Sequence, residues 1–136
     1  MRAPRTRRSG PAPRGPSQTF PTGDRFVVVA ESAIRWIEAR GRRSRIHAVD
    51  EVLDADLGIS RVLTGLVSGR ILRIHRSAAV HLDRIASMQP KAHGDWELTL
   101  DDGTILTLSR SFRQEVLERL KAVKPADGTA PAGQQS

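Results

Sequence analysis

The stretch "DWELTLDDGTILTLSR", residues 95 to 110, carries the clearest structural signal in this 136-residue chain. Apolar and polar side chains alternate on both sides of Asp102-Gly103. An alternation of period two is typical of a half-buried strand, and Asp-Gly between two such runs is typical of a hairpin turn. The stretch therefore predicts an antiparallel hairpin. Its inward-facing residues are Trp96, Leu98, Leu100, Leu106 and Leu108.

Short segments rich in β-branched residues predict further strands on the N-terminal side of this hairpin. In "AIRWIE", Ile34 and Trp36 alternate with Arg35, so we expect both apolar residues on the buried face. The run "ARGRRSR" (39–45) contains a glycine among arginines and predicts a loop. The other predicted strands are "RFVVVA" (25–30), "SRIHAV" (44–49), "ILRIHRS" (71–77), "AAVHL" (78–82) and "RIASM" (84–88).

Two segments have the spacing of helices. Apolar residues of "ISRVLTGLVSG" (59–69) fall on one helical face as far as Val67, with Gly69 placed to end the helix and Asp54 or Asp56 to cap its start. A second helix should follow Ser109-Arg110 and continue through Val123. Strands do not alternate with long helices, so a parallel sheet is not expected. The predicted fold is mainly β, with mostly antiparallel strands and one or two helices.

The positive charge is concentrated at one end of the chain. Residues 1–22 hold five arginines and no acidic residue, although the whole chain carries a net charge of +7. Their Pro, Arg, Ser and Gly content predicts disorder, as does that of residues 125–136, so we expect one folded domain over 23–124. The chain has no cysteine and no apolar run long enough to span a bilayer. We therefore expect a cytoplasmic protein that makes no contact with membranes.

Three segments follow one another along the chain: "AIRWIEARG" (33–41), "RILRIHRSAAVHLDRIASM" (70–88) and "ELTLDDGTILTLSRSFRQEVLERL" (97–120). In this order they resemble the LytTR-type DNA-binding domain (LytR/AlgR family), the output module of bacterial transcription regulators and response regulators. The resemblance covers about residues 23 to 122. It implies an elongated fold of small antiparallel sheets with one or two short helices, in which loops enter the major groove of DNA.

The resemblance also implies where DNA is contacted. Base edges would be reached by Arg42, Arg43, Ser44 and Arg45 in the first loop and by Arg110 near the end of the domain. Arg76 and Ser77 would lie against the groove or the backbone, while Ser111 and Arg113 would bind phosphates. Arginine suits base contacts because its guanidinium can bond both O6 and N7 of guanine. Two departures stand out: Arg42-Arg43 replaces an Asn-Tyr pair common in the family, and His81 replaces an asparagine.

Other interpretations of these residues are weaker. His47, His75 and His81 lack the cysteines or clustered carboxylates of a metal site, so no metal and no cofactor are expected. Ser77, His75 and Asp83 could form a hydrolytic triad only with an oxyanion loop, whose motif is missing, so no enzyme is expected. His75 should pack inward and bond to the backbone. Trp36, Trp96 and Phe112 should belong to the core.

The sequence thus favours a transcription regulator that binds specific double-stranded DNA. Two copies on repeated sites are expected, since loop readers with small footprints gain specificity from repeats about 10 bp apart. The input would come from a separate sensor or receiver protein. One alternative is a protein-interaction module that regulates another transcription factor without reading DNA. Another is an RNA-binding protein, which the chain's two Trp and three Phe make less favourable because base stacking needs exposed rings.

Overall fold

The computed structural model describes residues 15–123, and the tails predicted beyond that range lie outside the described residues. Over residues 15–123 the chain is mainly β, with ten strands that form antiparallel pairs and two α-helices. It divides into two compact units between Gly69 and Arg70. No helix within this range is long and apolar enough to cross a membrane.

The first unit consists of a hairpin, a three-stranded antiparallel layer and a short helix. Strands β1 and β2 form the hairpin, and β4 pairs with both β3 and β5. The elements are β1 (Ser17–Thr22), β2 (Arg25–Ala30), β3 (Ile34–Arg40), β4 (Arg43–Ala48), β5 (Val52–Ala55) and α1 (Ile59–Gly65).

Strand β1 corrects the predicted boundary of the N-terminal tail. Residues 17–22 were expected to be disordered, yet they pair with β2 along their whole length. Phe20 is only 2% exposed, and the Gln18 side chain donates a hydrogen bond to the Glu31 carboxylate at 2.7 Å. The composition of residues 1–22 is dominated by the arginines and prolines before residue 17, which conceal this short strand-forming segment.

A β-bulge changes which residues of β3 face the core. The register with β4 shifts between Ile34 and Trp36, so the simple alternation of period two is broken there. Ile34 and Ile37 are fully buried, whereas Trp36 is half-buried and stacks on His47 with ring centroids 4.1 Å apart. The prediction that Trp36 belongs to the core is therefore wrong. Trp96 and Phe112 are also only half-buried.

Helix α1 is shorter than its apolar spacing predicts. It ends at Gly65, because the backbone N–H groups of Val67 and Ser68 bond to the buried Glu31 carboxylate at 2.9 and 3.0 Å. Neither predicted aspartate caps its start: the N-cap is Gly58, without a side-chain bond. Asp54 and Asp56 instead form ion pairs with Arg45 and Arg43.

The second unit contains a hairpin, a three-stranded sheet and the longer helix. The predicted hairpin of residues 95–110 is confirmed: Leu98 pairs with Leu106, and Trp96 with Leu108. Its turn places Gly103 at a φ of +91°, which favours glycine. The elements are β6 (Ile71–His75), β7 (Ala78–His81), β8 (Ile85–Pro90), β9 (Trp96–Leu100), β10 (Ile105–Leu108) and α2 (Arg110–Val123).

Helix α2 packs on β6, and a backbone bond fixes the position of its start. The Ser109 N–H donates to the Ile74 carbonyl at 2.8 Å, immediately before the helix begins. Val116 of α2 is fully buried, as are Ile74 and Leu108. The first turn of α2, which carries Arg110, is therefore fixed against strand β6.

Candidate nucleic-acid interface

The arginine-rich segment of the first unit is a tight turn between paired strands. The predicted loop over 39–45 is wrong: β3 continues to Arg40 and β4 starts at Arg43, so only Gly41 and Arg42 lie between them. Gly41 has a φ of +67°, the conformation that a two-residue hairpin turn of type II′ needs at its first position. We call residues 40–43 the β3–β4 turn.

Arg42 is the most available cation of this segment. Its side chain is exposed and makes no ion pair or hydrogen bond with the residues that the structure describes. It extends from the tip of a hairpin whose two strands fix the backbone on either side. A group held in this way can approach DNA with little loss of backbone freedom.

Arg43 and Arg45 form ion pairs with two aspartates that lie later in the sequence. The Arg43 Nε lies 3.0 Å from Asp56 Oδ1, and the Arg45 Nε lies 2.9 Å from Asp54 Oδ1. The hydrogen bond and charge of Arg45 hold the pKa of Asp54 below its usual value, and Asp54 in turn raises the pKa of Arg45. The Nε of each guanidinium is thus occupied by a carboxylate, so neither group can offer all of its donors to DNA while the ion pair lasts.

Ser44 does not belong to the exposed surface. It is fully buried, and its hydroxyl donates a 2.7 Å hydrogen bond to the Leu57 carbonyl. Side chains alternate between the two faces of a strand, so Ser44 points inward where Arg43 and Arg45 point outward. The expectation that Ser44 contacts DNA is wrong for this conformation.

Arg76 and Ser77 form the tip of the β6–β7 hairpin in the second unit. Both are exposed, and the Arg76 side chain makes no bond or ion pair with the described residues. The Arg73 guanidinium donates hydrogen bonds to the carbonyls of His75 and Arg76 at 3.2 and 2.7 Å. These two bonds hold the backbone of the turn in place. Arg76 is therefore a second exposed cation on a firmly held hairpin.

His75 and Ser77 are in contact, but a triad is not formed. His75 Nδ1 lies 3.0 Å from the Ser77 hydroxyl and accepts a bond from the Ser77 N–H at 3.2 Å. His75 is half-buried, so the expected backbone bond is present while the expected inward packing is not. Asp83 is held instead by Arg70, whose Nη1 lies 2.8 Å from each carboxylate oxygen. The His75–Ser77 contact shapes the turn.

Three predicted residues lie on the first turn of α2. Arg110 and Ser111 are exposed and Arg113 is half-buried. Three N–H groups at the start of the helix are already satisfied: that of Arg110 by Asp95 Oδ1 at 3.0 Å, that of Ser111 by the Ser109 hydroxyl at 3.4 Å and that of Phe112 by the Ser109 carbonyl at 2.9 Å. A phosphate at this helix start would have to displace Asp95 or bind through side chains. Arg110 is thus better placed than the helix N–H groups to bind DNA.

The short connection between β8 and β9 supports Arg110 and Arg113, a role that sequence reasoning missed. The Gly94 carbonyl accepts a 3.0 Å bond from Arg113 Nη1, and an ideal Cβ on Gly94 would lie 3.4 Å from the Arg110 side chain. His93 and Gly94 have φ values of 62° and 84°. The "HGD" sequence was the available signal, because glycine after an exposed histidine indicates a turn with positive φ.

His81, which departs from the family pattern, makes a local hydrogen bond that stabilises the turn after β7. The residue is 3% exposed, and its Nδ1 accepts a 3.1 Å hydrogen bond from the Asp83 N–H at the start of a one-turn 3-10 helix. Over residues 15–123 no group of three or more His, Cys, Asp or Glu could hold a metal ion.

Among residues 15–123, three exposed guanidinium groups of the predicted site therefore have no hydrogen-bond or ion-pair partner. Arg42 lies in the first unit, while Arg76 and Arg110 lie in the second. Each stands at the tip of a hairpin or the start of a helix whose backbone is fixed by hydrogen bonds.

The chain is similar to known DNA-binding domains. Residues 24–121 match the model of the LytTr DNA-binding domain. A solved structure from Bacillus cereus shares the fold with a TM-score of 0.65 and 22% identity, over 76% of this chain and 94% of that one. Its description names it as the LytTr DNA-binding domain of a methyl-accepting/DNA response regulator. No curated protein matches the sequence. Because the family model covers well over half of its length, the chain belongs to the LytTR family of DNA-binding domains.

Proposed function

We propose that this protein is a bacterial, cytoplasmic transcription regulator that binds specific sequences of double-stranded DNA and catalyses no reaction. The observation that carries the proposal is the set of three exposed arginines, Arg42, Arg76 and Arg110, on well-anchored tips of a DNA-binding family member. Unpaired guanidinium groups are suited to bidentate bonds with guanine in the major groove. They need not break an ion pair before they bind.

Each exposed arginine has a proposed role. Arg42 and Arg110 contact base edges, because one extends from a hairpin tip and the other from the start of a helix. Arg76 and Ser77 contact the sugar-phosphate backbone or the groove. Ser111 and Arg113 contribute phosphate contacts, and Arg113 keeps its bond to Gly94 while doing so. Arg43 and Arg45 mainly form ion pairs with Asp56 and Asp54, and they contribute less to DNA binding than Arg42 does.

Binding involves two copies on repeated sites, with an input from another protein. One copy offers few base contacts, and repeats spaced by about one helical turn, ~10 bp, allow both copies to contact the same face of DNA. The Bacillus cereus relative is described as a response regulator. We therefore propose a separate receiver or sensor protein as the source of the signal.

Selection from random duplex DNA tests the proposal. The purified full chain is used to enrich bound duplexes at physiological salt, and the Arg42→Ala and Arg110→Ala variants are run in parallel. Arg61→Ala is the matched control, because Arg61 is an exposed arginine on α1 and the substitution removes the same charge. We expect a repeated motif with the wild type and the control, and a weaker motif with the two variants.

The other outcomes discriminate between the alternatives. Enrichment that equals the salt-dependent background in all four proteins would contradict sequence-specific binding and favour a protein-interaction module. A motif that survives equally in all four would support specific binding but remove Arg42 and Arg110 from it. Preference for RNA over a duplex of equal length would favour the RNA-binding alternative.

A further inference from the structure

Asp56 links the two turns at one end of the first unit. Its Oδ1 pairs with the Arg43 Nε at 3.0 Å, and its Oδ2 accepts a hydrogen bond from the Gly23 N–H at 2.8 Å. Its own N–H donates to the Pro21 carbonyl at 2.7 Å. The residue follows β5 directly and thus joins the β1–β2 turn to the β3–β4 turn.

We propose that Asp56 is a positioning residue for DNA recognition: it retains Arg43 and leaves Arg42 as the cation that the β3–β4 turn offers to DNA. This inference rests on the proposed function, since it concerns which side chain of that site meets DNA. It assigns no direct DNA contact to Asp56. An acidic side chain at the site instead decides which of two adjacent arginines is available.

The geometry of the turn holds the Arg43 side chain against Asp56. Arg43 pairs directly with Arg40 across the hairpin, so its backbone is fixed in position. The carboxylate of Asp56 is fixed as well, because the Gly23 N–H holds its second oxygen. The Nε of Arg43 is therefore held at Asp56, and the whole guanidinium can turn toward DNA only when this ion pair breaks. Arg42 has no such partner among the described residues.

Retention of Arg43 serves specificity more than stability. The Arg43 side chain is 62% exposed, and ion pairs this exposed contribute little to folding. A second unpaired arginine beside Arg42 would be drawn to phosphates, and phosphate contacts strengthen binding to every sequence alike. Asp56 therefore limits sequence-independent affinity at the site where bases are read.

The test is the Asp56→Asn variant of the full chain. Its amide oxygen can still accept the Gly23 N–H bond, while the charge that retains Arg43 is lost. Affinity is measured for the selected duplex and for a scrambled duplex over a range of salt concentrations. We expect tighter binding to the scrambled duplex, a smaller ratio between the two affinities, and a salt dependence steeper by about 0.9 in log–log slope, the value for one added phosphate contact.

Two further variants separate this effect from the change in net charge. Asp50→Asn makes the same change in the exposed β4–β5 turn, at the opposite end of β4, and should leave the ratio unaltered. Adding Arg43→Gln to Asp56→Asn should restore the wild-type ratio and slope, because the released cation is then missing. A purely structural role of Asp56 would not be corrected by this second substitution.

The results distinguish the failure of this inference from the failure of the proposed function. If the wild type does not discriminate between the duplexes, the proposed function is wrong. If the wild type discriminates but Asp56→Asn behaves like Asp50→Asn, only the inference is overturned. If Asp56→Asn does not fold, Arg43→Gln alone decides: we expect it to preserve the preference for the selected duplex, and a loss as large as that of Arg42→Ala would overturn the inference.

Discussion

Arg42, Arg43 and Arg45 are chemically identical, yet their neighbours make them different. Arg43 and Arg45 point to the same side of β4, where they meet Asp56 and Asp54, while Arg42 lies in the turn and makes no ion pair with the residues that the structure describes. The sequence identifies a cluster of arginines. The sequence does not show which of these arginines form ion pairs, because the pairing depends on the register between β4 and β5.

This difference in pairing predicts unequal effects on DNA binding. Arg42→Ala should weaken binding to the selected duplex by roughly 1–3 kcal/mol, the range for loss of a bidentate base contact, and should relax the preference at one base pair. Arg45→Ala should cause a smaller loss, because its guanidinium is already paired with Asp54. Fluorescence anisotropy with the selected and single-substituted duplexes measures both. An equal loss for the two variants would contradict this expectation.

Glu31 is a fully buried carboxylate whose hydrogen bonds stabilise the first unit. Burial favours the neutral form, but hydrogen bonds from Val67, Ser68 and Gln18 outweigh burial and lower the pKa of Glu31 below its ordinary value of 4.5. A lowered pKa in the folded state stabilises the fold above the unfolded pKa and loses this contribution as the pH falls through the folded value. The stabilisation is therefore complete above about pH 4.5 and declines in more acidic solution.

Two substitutions at Glu31 test this account. Glu31→Ala should destabilise the protein by roughly 1–3 kcal/mol for each N–H that loses its acceptor, namely those of Val67 and Ser68. Glu31→Gln should lower the free energy of unfolding by less than Glu31→Ala does. When the pH is lowered, the free energy of unfolding of Glu31→Gln should also fall less than that of the wild type. Urea unfolding near neutral pH and in mild acid measures both effects. A parallel decline of Glu31→Gln and the wild type would contradict the assignment.

At the scale of secondary-structure elements, the sequence predicts those whose pattern is local. The hairpin over 95–110 and the helix after Ser109 follow from alternation, a turn dipeptide and helical spacing, and both are present. The features that sequence reasoning missed depend on distant partners. The bulge in β3 and the early end of α1 result from pairing with β4 and from the Glu31 carboxylate, neither of which leaves a periodic signal.

The same contrast applies to the candidate site. The exposure of Arg42, Arg76 and Arg110 agrees with the motifs, and their contact with DNA stays a prediction. The burial of Ser44 could not be predicted, because the loop assumed for residues 39–45 hid the alternation of β4. The support that Gly94 gives to Arg110 and Arg113 also required coordinates.

That support yields a prediction for the β8–β9 connection. Gly94 and Gly103 both have positive φ, so replacement of either by alanine should strain the backbone at a cost of roughly 1–2 kcal/mol. Only Gly94 lies against Arg110 and Arg113, whereas an ideal Cβ on Gly103 has no atom within 4 Å. Gly94→Ala should therefore weaken DNA binding, and Gly103→Ala should not.

Thermal unfolding and duplex binding are measured on both variants. Similar losses of stability with unequal losses of affinity would confirm that the β8–β9 connection positions the arginines. If both variants bind DNA as the wild type does, Arg110 and Arg113 do not depend on this connection.

At the scale of the whole molecule, the positive charge is unevenly distributed along the sequence. Residues 15–69 contain seven basic and seven acidic side chains, so the described part of the first unit carries no net charge. Residues 1–14 add five arginines without any acid. On the proposed function, this distribution separates recognition from attraction: individual arginines would make the specific contacts, and the N-terminal arginines would supply much of the general attraction to DNA.

This separation predicts how salt affects binding when the N-terminal arginines are replaced. Substitution of Arg2, Arg5, Arg7, Arg8 and Arg14 by glutamine keeps the chain length and leaves β1 intact. Each arginine that neutralises a phosphate contributes about 0.9 to the log–log salt slope, so the slope should fall by up to about 4.5. The preferred sequence should not change, because Arg42 and Arg110 remain. Selection from random duplexes and salt titration of the affinity measure the two effects separately, and an altered motif would show that the N-terminal arginines read bases themselves.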